Sequence, residues 1–309
     1  NAVVMLDTKT GAVRAVNGGR KQTTLLGYNR ATDNTRSTGS TIKPVIDYGP
    51  AIEYLNYSTG QTIMDQRTTY SNGVELNNWD FSHKGAMTLR TALVYSRNTT
   101  ALQTFKAVGE TNIKSFLNNL DIQIKNDGQD YLVESNSIGA DISPIKMAAA
   151  YATFGNYGNY SKPYTVTKVT TRDGQVTEFK PEQKQAMKDS TAYMITDVLK
   201  DSFKYGFATQ ATIPGLPTAA KTGSSNYTVE QKRAMGASDY EDIIPDSWFI
   251  GYSTDYTISA WTGYDNPYEQ GGGVDTTEQE YSRLIYYYLM KYMAESSSGD
   301  DWVQPDSVV

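Results

Sequence analysis

The chain contains no cysteine. Disulfides, thiolate nucleophiles and Cys-based zinc sites are therefore excluded. A single histidine, His83, rules out H-E-x-x-H sites and multi-histidine metal cages. No stretch approaches the roughly 18 consecutive apolar residues of a membrane span. Positive charge is in deficit, with 28 Lys and Arg against 34 Asp and Glu and a formal net charge of −6. That balance argues against a nucleic-acid partner, which needs a basic face for phosphates. Hydrolytic or transfer chemistry must rest on Ser, Lys, Asp, Glu or Tyr, and neither a metal nor a cofactor is expected.

What is present is ordinary for a globular protein: 309 residues, 39% hydrophobic and 20% charged. The length fits about two compact units or one large one. The first residues, Asn1-Ala2-Val3-Val4-Met5-Leu6, open inside an apolar run without an initiator Met. This start is expected of a piece of a longer chain whose targeting and anchoring segments lie elsewhere.

Apolar runs at 2–6 and 12–16, joined by Asp7-Thr8-Lys9-Thr10-Gly11, read as a hairpin. A polar stretch runs to Gly39. A helix is predicted over 40–55, with Pro44 in its first turn and Ser40 at its N-terminus. Further helices are predicted over 88–95, 101–108, 112–120, 144–154 and 190–203, with a hairpin at 164–170 and 175–179. Strands return at 218–224, 247–252 and 257–262, followed by a last helix over 276–293. The fold class is α+β: one antiparallel sheet built from both chain ends and flanked by helices, with an inserted all-helical lobe. The sheet lobe is expected at about 1–35 and 160–295 and the helical lobe at about 40–158, forming one domain over 1–295. The Ser-rich segment 296–309 is expected to be a flexible tail.

Three short motifs each occur twice. Ser-x-x-Lys is found at Ser40-Thr41-Ile42-Lys43 and Ser143-Pro144-Ile145-Lys146; Ser-x-Asn at Ser96-Arg97-Asn98 and Ser224-Ser225-Asn226; Lys-Thr-Gly at Lys9-Thr10-Gly11 and Lys221-Thr222-Gly223. Order selects among them, because serine acyl-enzyme chemistry of this type needs S-x-x-K, S-x-N and K-T-G in succession. Ser40, Ser96 and Lys221 satisfy it. The remaining copies have simpler explanations: Ser143-Pro144 begins a helix, Lys9-Thr10-Gly11 is a hairpin tip, and Ser224-Ser225-Asn226 is the tail of the chosen Lys-Thr-Gly strand. On a helix, Ser40 and Lys43 lie on one face about a turn apart. Gly223, without a side chain, lets another backbone lie alongside its strand.

These motifs and their surroundings resemble the transpeptidase domain of class A (bifunctional) penicillin-binding proteins over nearly the whole chain. The resemblance extends to Asn29-Arg30-Ala31-Thr32, to Thr88-Leu89-Arg90-Thr91-Ala92-Leu93, to the run from Ser143 to Phe154 and to Ser247-Trp248-Phe249-Ile250-Gly251-Tyr252. The departures are small: Ser37-Thr38 stands where Gln-Pro is frequent, and Ser224 where many members carry Thr. The resemblance implies a serine β-lactamase/DD-peptidase-like fold and a peptidoglycan DD-transpeptidase. In that role Ser40 attacks the penultimate D-Ala carbonyl of a stem peptide, Lys43 is the base, and Ser96 relays a proton to the departing amine. Asn98 orients the substrate amide. Thr222 and Ser224, with Gly223 between them, bind the terminal carboxylate in the positive field of Lys221. The backbone N–H groups of Ser40 and Ser224 form the oxyanion hole. A free lysine titrates near 10.4, leaving only about one in 2,500 neutral at pH 7, so Lys43 requires burial or a neighbouring cation, for which Lys221 is the candidate. The implied partners are stem peptides, lipid-linked precursors and other cell-wall synthesis proteins, with β-lactams as covalent inhibitors. The implied location is the extracytoplasmic face of a bacterial membrane, with an anchor upstream.

An alternative within the same fold is a non-turnover β-lactam or peptidoglycan sensor, which keeps the same serine and lysine. No equivalent of the glutamate that drives rapid deacylation in class A β-lactamases is found. Two unrelated readings are weaker. The stretch Gly215 to Thr222 misses a phosphate-binding loop by one glycine and carries Pro217. A Ser-His-Asp hydrolase would have to use His83, and no G-x-S-x-G elbow is present. Tyr286-Tyr287-Tyr288 reads as helix packing, and the polar segment 225–246 as a candidate cover over the cleft.

Overall fold

The computed structural model describes residues 1–20, 25 and 27–308. Residues 21–24 and 26, in the polar stretch before Gly39, and residue 309 at the end of the expected tail lie outside the described residues.

Strand β1 (Ala2–Asp7) pairs with β2 (Val13–Asn17) across the predicted reversal, where Thr10 N donates to Asp7 Oδ1. The chain returns to this sheet only near its C-terminal end, with β3 (Ala219–Ser224), β4 (Asp246–Tyr252) and β5 (Tyr256–Gly263). The order is β3-β4-β5-β1-β2, antiparallel throughout, with Lys221 opposite Ile250 and Val3 opposite Ala260. The sheet from both chain ends is as the sequence implies.

Every residue of β4 is buried, because both faces of the sheet are covered. Trp248, Ile250 and Tyr252 join one core with β1 and the helices α5 (Pro144–Gly155) and α6 (Asp189–Lys200). Phe249 faces the other way into a second core with Tyr286 and Met290 of α8 (Tyr281–Ala294). A Cβ on Gly251 would sit 2.5 Å from Tyr286 Cε2, so that glycine admits the ring. Of the tyrosine run, Tyr286 is the packed member and Tyr288 is 65% exposed.

The helical region comprises α1 (Gly49–Leu55), α2 (Leu89–Val94), α3 (Asn98–Val108), α4 (Glu110–Asn119) and α5. The predicted helix over 40–55 is composite. Gly39–Ile42 is a 3₁₀ turn, Pro44–Tyr48 is a π-turn closed by Gly49 N donating to Pro44 O, and only then does α1 begin. Such π-turns are uncommon and cluster at functional sites. Helix α3 starts at Asn98, three residues before the predicted start, since its cap comes from elsewhere in the chain. The predicted hairpin at 164–179 keeps only a short ladder, Lys168–Thr170 with Val176–Glu178. Ser143 does precede α5, with Pro144 at its first position, but its hydroxyl makes no capping bond.

The segment beyond α8 is not the flexible tail its composition suggests. Trp302 is buried, packs edge-on to Tyr252 at 5.5 Å and donates from Nε1 to Gly155 O at 2.8 Å. Asp301 pairs with Lys200, and Val303 N donates to Tyr157 Oη. One aromatic side chain outweighs the polar run before it, because indole burial removes a large apolar area from water. Trp302→Ala is expected to lower the unfolding free energy by about 3–5 kcal/mol in urea titration. A loss below about 0.5 kcal/mol, as at an ordinary surface position, would show the segment to be undocked.

Candidate active site

Ser40 sits in the 3₁₀ turn that opens the composite helix. Three contacts fix that turn from outside: Tyr151 Oη of α5 donates to Thr41 O, Trp248 Nε1 of β4 to Ser37 O, and Thr38 N to Ala140 O. Two glycines set the remaining approach. Gly39 has φ +49°, and a Cβ on it would lie 2.3 Å from Ser224 O and 2.7 Å from Ser224 N. A Cβ on Gly223 would lie 2.5 Å from Thr38 O and 2.7 Å from Thr41 N. The backbone that carries Ser40 therefore lies directly against β3, a closeness only glycine permits. Gly223 thus admits the neighbouring backbone, as its lack of a side chain implied, and it also lines the cleft.

Lys43, one turn on, is fully buried. Its Nζ donates to Asn98 Oδ1 at 2.7 Å, Ser96 O at 2.8 Å, Ser96 Oγ at 3.3 Å and Arg97 O at 3.4 Å. Lys221 is also buried, on the edge strand of the sheet, and its Nζ donates to Ser96 Oγ at 2.8 Å and to Thr222 O at 2.9 Å. The three motifs, far apart in sequence, meet at one hydroxyl. Ser96 reaches it from the α2–α3 junction with φ +54°, a left-handed conformation that non-glycine residues adopt at a cost. Ser40, Ser96, Asn98, Thr222, Gly223 and Ser224 all line one cleft of about 940 Å³.

Burial holds the Lys43 amine well below the ordinary lysine range, and the Lys221 ammonium and the Arg97 guanidinium add to this while the Asp47 carboxylate opposes it. Burial alone lowers Lys221 to about 7. Asp47, on the π-turn, is pushed well above the usual carboxylate range by the same desolvation, against the pull of Lys43. The sequence-based expectation allowed burial or a neighbouring cation; both act, and removal from water comes first.

Two features differ from the expected arrangement. Among the described residues the Ser40 hydroxyl forms no side-chain hydrogen bond, and Lys43 is directed instead at Ser96 and Asn98. Asn98 is engaged at both ends, accepting from Lys43 and donating from Nδ2 to Asn77 O at 2.8 Å. One lone pair of Oδ1 and one hydrogen of Nδ2 remain beyond these two partners. Two leftover motif copies stay outside the site, where Lys146 donates to Asp121 O at the surface and Lys9 pairs with Asp255, whereas Ser224 and Asn226 of the third line the cleft. His83 lies 3.8 Å from Asp65 and does not line the cleft, so the Ser-His-Asp reading has no base. Lys221 stands on a strand, not on a phosphate-cradling loop.

Several cleft residues escaped sequence reasoning. Trp79 and Phe207 meet edge-to-face at 5.3 Å at its wall, and Tyr227, from the segment 225–246, also lines it. That segment is more than a loop, since it carries α7 (Val229–Ala234), and Asn226, Lys232 and Ile243 line the cleft. Only the Asn77-Asn78-Trp79 cluster offered a local signal, and nothing in its spacing tied it to Ser96.

A sheet formed from the two chain ends, a helical insertion and a serine–lysine cleft between them define the serine β-lactamase/DD-peptidase architecture. The family model of the penicillin-binding protein transpeptidase domain matches residues 1–287, and the chain belongs to that family. It is similar to penicillin-binding protein 1A/1B of Bacillus subtilis, 40% identical over 99% of this chain and 33% of that protein. It is also similar to penicillin-binding protein 1A of Streptococcus pneumoniae, 37% identical over 99% of this chain and 43% of that protein. The chain thus spans less than half the length of these relatives. Among solved structures, the penicillin-binding protein PonA1 of Mycobacterium tuberculosis superposes with TM-score 0.83 at 21% identity, covering 99% of this chain and 81% of that one. Penicillin-binding protein 1A of Haemophilus influenzae gives 0.81 at 21%, covering 100% and 49%. At these identities the structural likeness speaks for the fold.

The site makes a prediction about stability. Between about pH 7 and 10.5 the unfolded chain holds a proton on Lys221 that the fold does not, so the cost of burying this group is complete below pH 7 and fades as pH rises to 10.5. Lys221→Met is expected to stabilise the protein by on the order of 1–4 kcal/mol at pH 6, with a smaller gain at pH 9. Denaturant unfolding at the two pH values measures it; no gain, or one that grows with pH, contradicts the burial argument.

Proposed function

We propose that the domain is a peptidoglycan DD-transpeptidase acting through an acyl-enzyme on Ser40. The observation that carries this reading is the convergence of the Lys43 and Lys221 amines on Ser96 Oγ in the cleft that Ser40 lines. The neutral Lys43 amine takes the proton as Ser40 Oγ bonds to the penultimate D-Ala carbonyl carbon of a stem peptide. The N–H groups of Ser40 and Ser224 stabilise the oxyanion. A hydroxyl has two acceptor lone pairs and one proton to give. With both lysines at its oxygen, Ser96 gives that proton to the departing amine and regains one from the Lys43 ammonium, so the peptide bond breaks and D-Ala leaves. Asn98 orients the substrate amide, and Thr222 and Ser224 hold the terminal carboxylate in the field of Lys221. An amino group of a second stem then attacks the ester carbonyl and loses a proton to neutral Lys43; the ester bond to Ser40 breaks, Ser40 Oγ takes that proton back from Lys43, and a cross-link forms.

β-Lactams carry a strained amide in place of the D-Ala-D-Ala bond and acylate the same serine. The M. tuberculosis PonA1 structure solved in complex with penicillin V supports this reading. The substrates place the reaction outside the cytoplasmic membrane, with lipid-linked precursors and other cell-wall synthesis proteins as partners. Among the described residues no helix is long and apolar enough to cross a membrane.

Labelling of the purified domain with a fluorescent penicillin tests the assignment. Ser40→Ala is expected to abolish the label and Ser143→Ala to leave it intact. Label persisting on Ser40→Ala would end the proposal. Processing of a thioester or D-Ala-D-Ala analogue by the wild type separates a transpeptidase from a sensor, which acylates and stops.

A further inference from the structure

Ser96 and Asn98 flank a residue with a different fate. Arg97 is 2% exposed, and its guanidinium is fully engaged. Nε donates to Asp65 Oδ2 at 2.9 Å, one terminal nitrogen to both Asp80 oxygens at 3.0 Å, and the other to Ser82 O. Asp65, 1% exposed, lies on the strand Thr62–Asp65, outside all three motifs. Besides Arg97 it accepts from Lys84 N on Oδ2, and from Asn78 Nδ2 and Thr99 Oγ1 on Oδ1 at 2.7 and 2.6 Å. Four donors saturate a carboxylate.

This cluster takes over a task that the motif does not perform itself. Helix α3 begins at Asn98, and Arg97 in the cap position supplies no side-chain acceptor. Asn78 Oδ1 accepts from Asn98 N at 2.7 Å and Thr99 N at 3.3 Å instead, and Asn78 is in turn oriented by Asp65. Asp65 therefore grips both sides of the junction: Arg97 directly, and the first turn of α3 through Asn78 and Thr99. Ser96, immediately before, is held at φ +54°, a conformation that persists only where its surroundings over-determine it.

We propose that Asp65 is a positioning residue for the reaction: through Arg97 and Asn78 it fixes the Ser96 backbone so that the hydroxyl meets both lysine amines. The inference rests on the role of Ser96 in acylation proposed above. Its prediction concerns rate more than binding. A displaced Ser96 relays protons poorly, while Ser40, Thr222 and Ser224, held by the composite helix and β3, keep their places in the cleft.

The test measures acylation by a fluorescent penicillin over a concentration series, separating limiting rate from apparent dissociation constant, on protein confirmed as folded by circular dichroism. Asp65→Asn keeps the size and removes the charge. It is expected to lower the limiting rate by ~10-fold or more, since small misplacements of catalytic groups cost that much. The apparent dissociation constant should stay within about 2-fold. In a Ser96→Ala background the same substitution should change the rate by less than about 2-fold, because its action passes through Ser96. Should Asp65→Asn not fold, Asp80→Asn, which removes only the outer partner of Arg97, is expected to lower the rate in the same direction and to lose its effect over Ser96→Ala. A folded variant that acylates at the wild-type rate, or an effect undiminished without Ser96, overturns the proposal. A wild type that takes no label would instead count against the functional assignment itself.

Discussion

Two lysine amines share one serine oxygen inside the protein, and most of the architecture serves that meeting. Bringing Lys43 and Lys221 out of water is costly, and bringing them together adds mutual repulsion. The fold sustains the arrangement by distributing its parts over two well-packed bodies. Lys43 is held by a helical segment locked onto α5 and β4, and Lys221 by a sheet buried on both faces. Burial, with the neighbouring ammonium adding to it at Lys43, disfavours the charged amines, and a proton-poor amine is what a serine nucleophile needs.

Close approach of the two bodies is a backbone matter. Gly39 faces the strand and Gly223 the turn at distances where any side chain would collide, so the turn bearing Ser40 and the strand bearing Lys221 form one surface. Around it stands a second, ionic layer. Arg97 and the two aspartates bind the loop of Asn77 and Asn78 to the junction of α2 and α3. The loop carries Trp79 as well, so the aromatic wall of the cleft and the Ser96 hydroxyl are registered against each other by one cluster of side chains.

The residues that converge on the cleft were legible in the sequence because they lie in short motifs whose order carries the information. The sheet was legible too, from strand-like runs near both ends. What was misread shares one physical cause: the local signal was outvoted by a distant contact. Residues 40–55 have helical composition, but Pro44 and packing against the neighbouring elements divide them into 3₁₀, π and α turns. Helix α3 was predicted to start late because its cap, Asn78, lies 20 residues upstream of Asn98. The final segment looked mobile because five polar neighbours hid the significance of Trp302.

The order of the three motifs, the absence of cysteine and the single histidine by themselves determined which side chains are available for chemistry and which mechanisms are closed. That much depends on residue identity alone. Only the tertiary structure decided that Lys43 faces Ser96 and Asn98, that Ser96 is held left-handed, and that Asp65, invisible to any motif, stands behind it. Those outcomes depend on desolvation and on distances between segments remote in the chain, quantities that exist only once the two bodies have closed on each other.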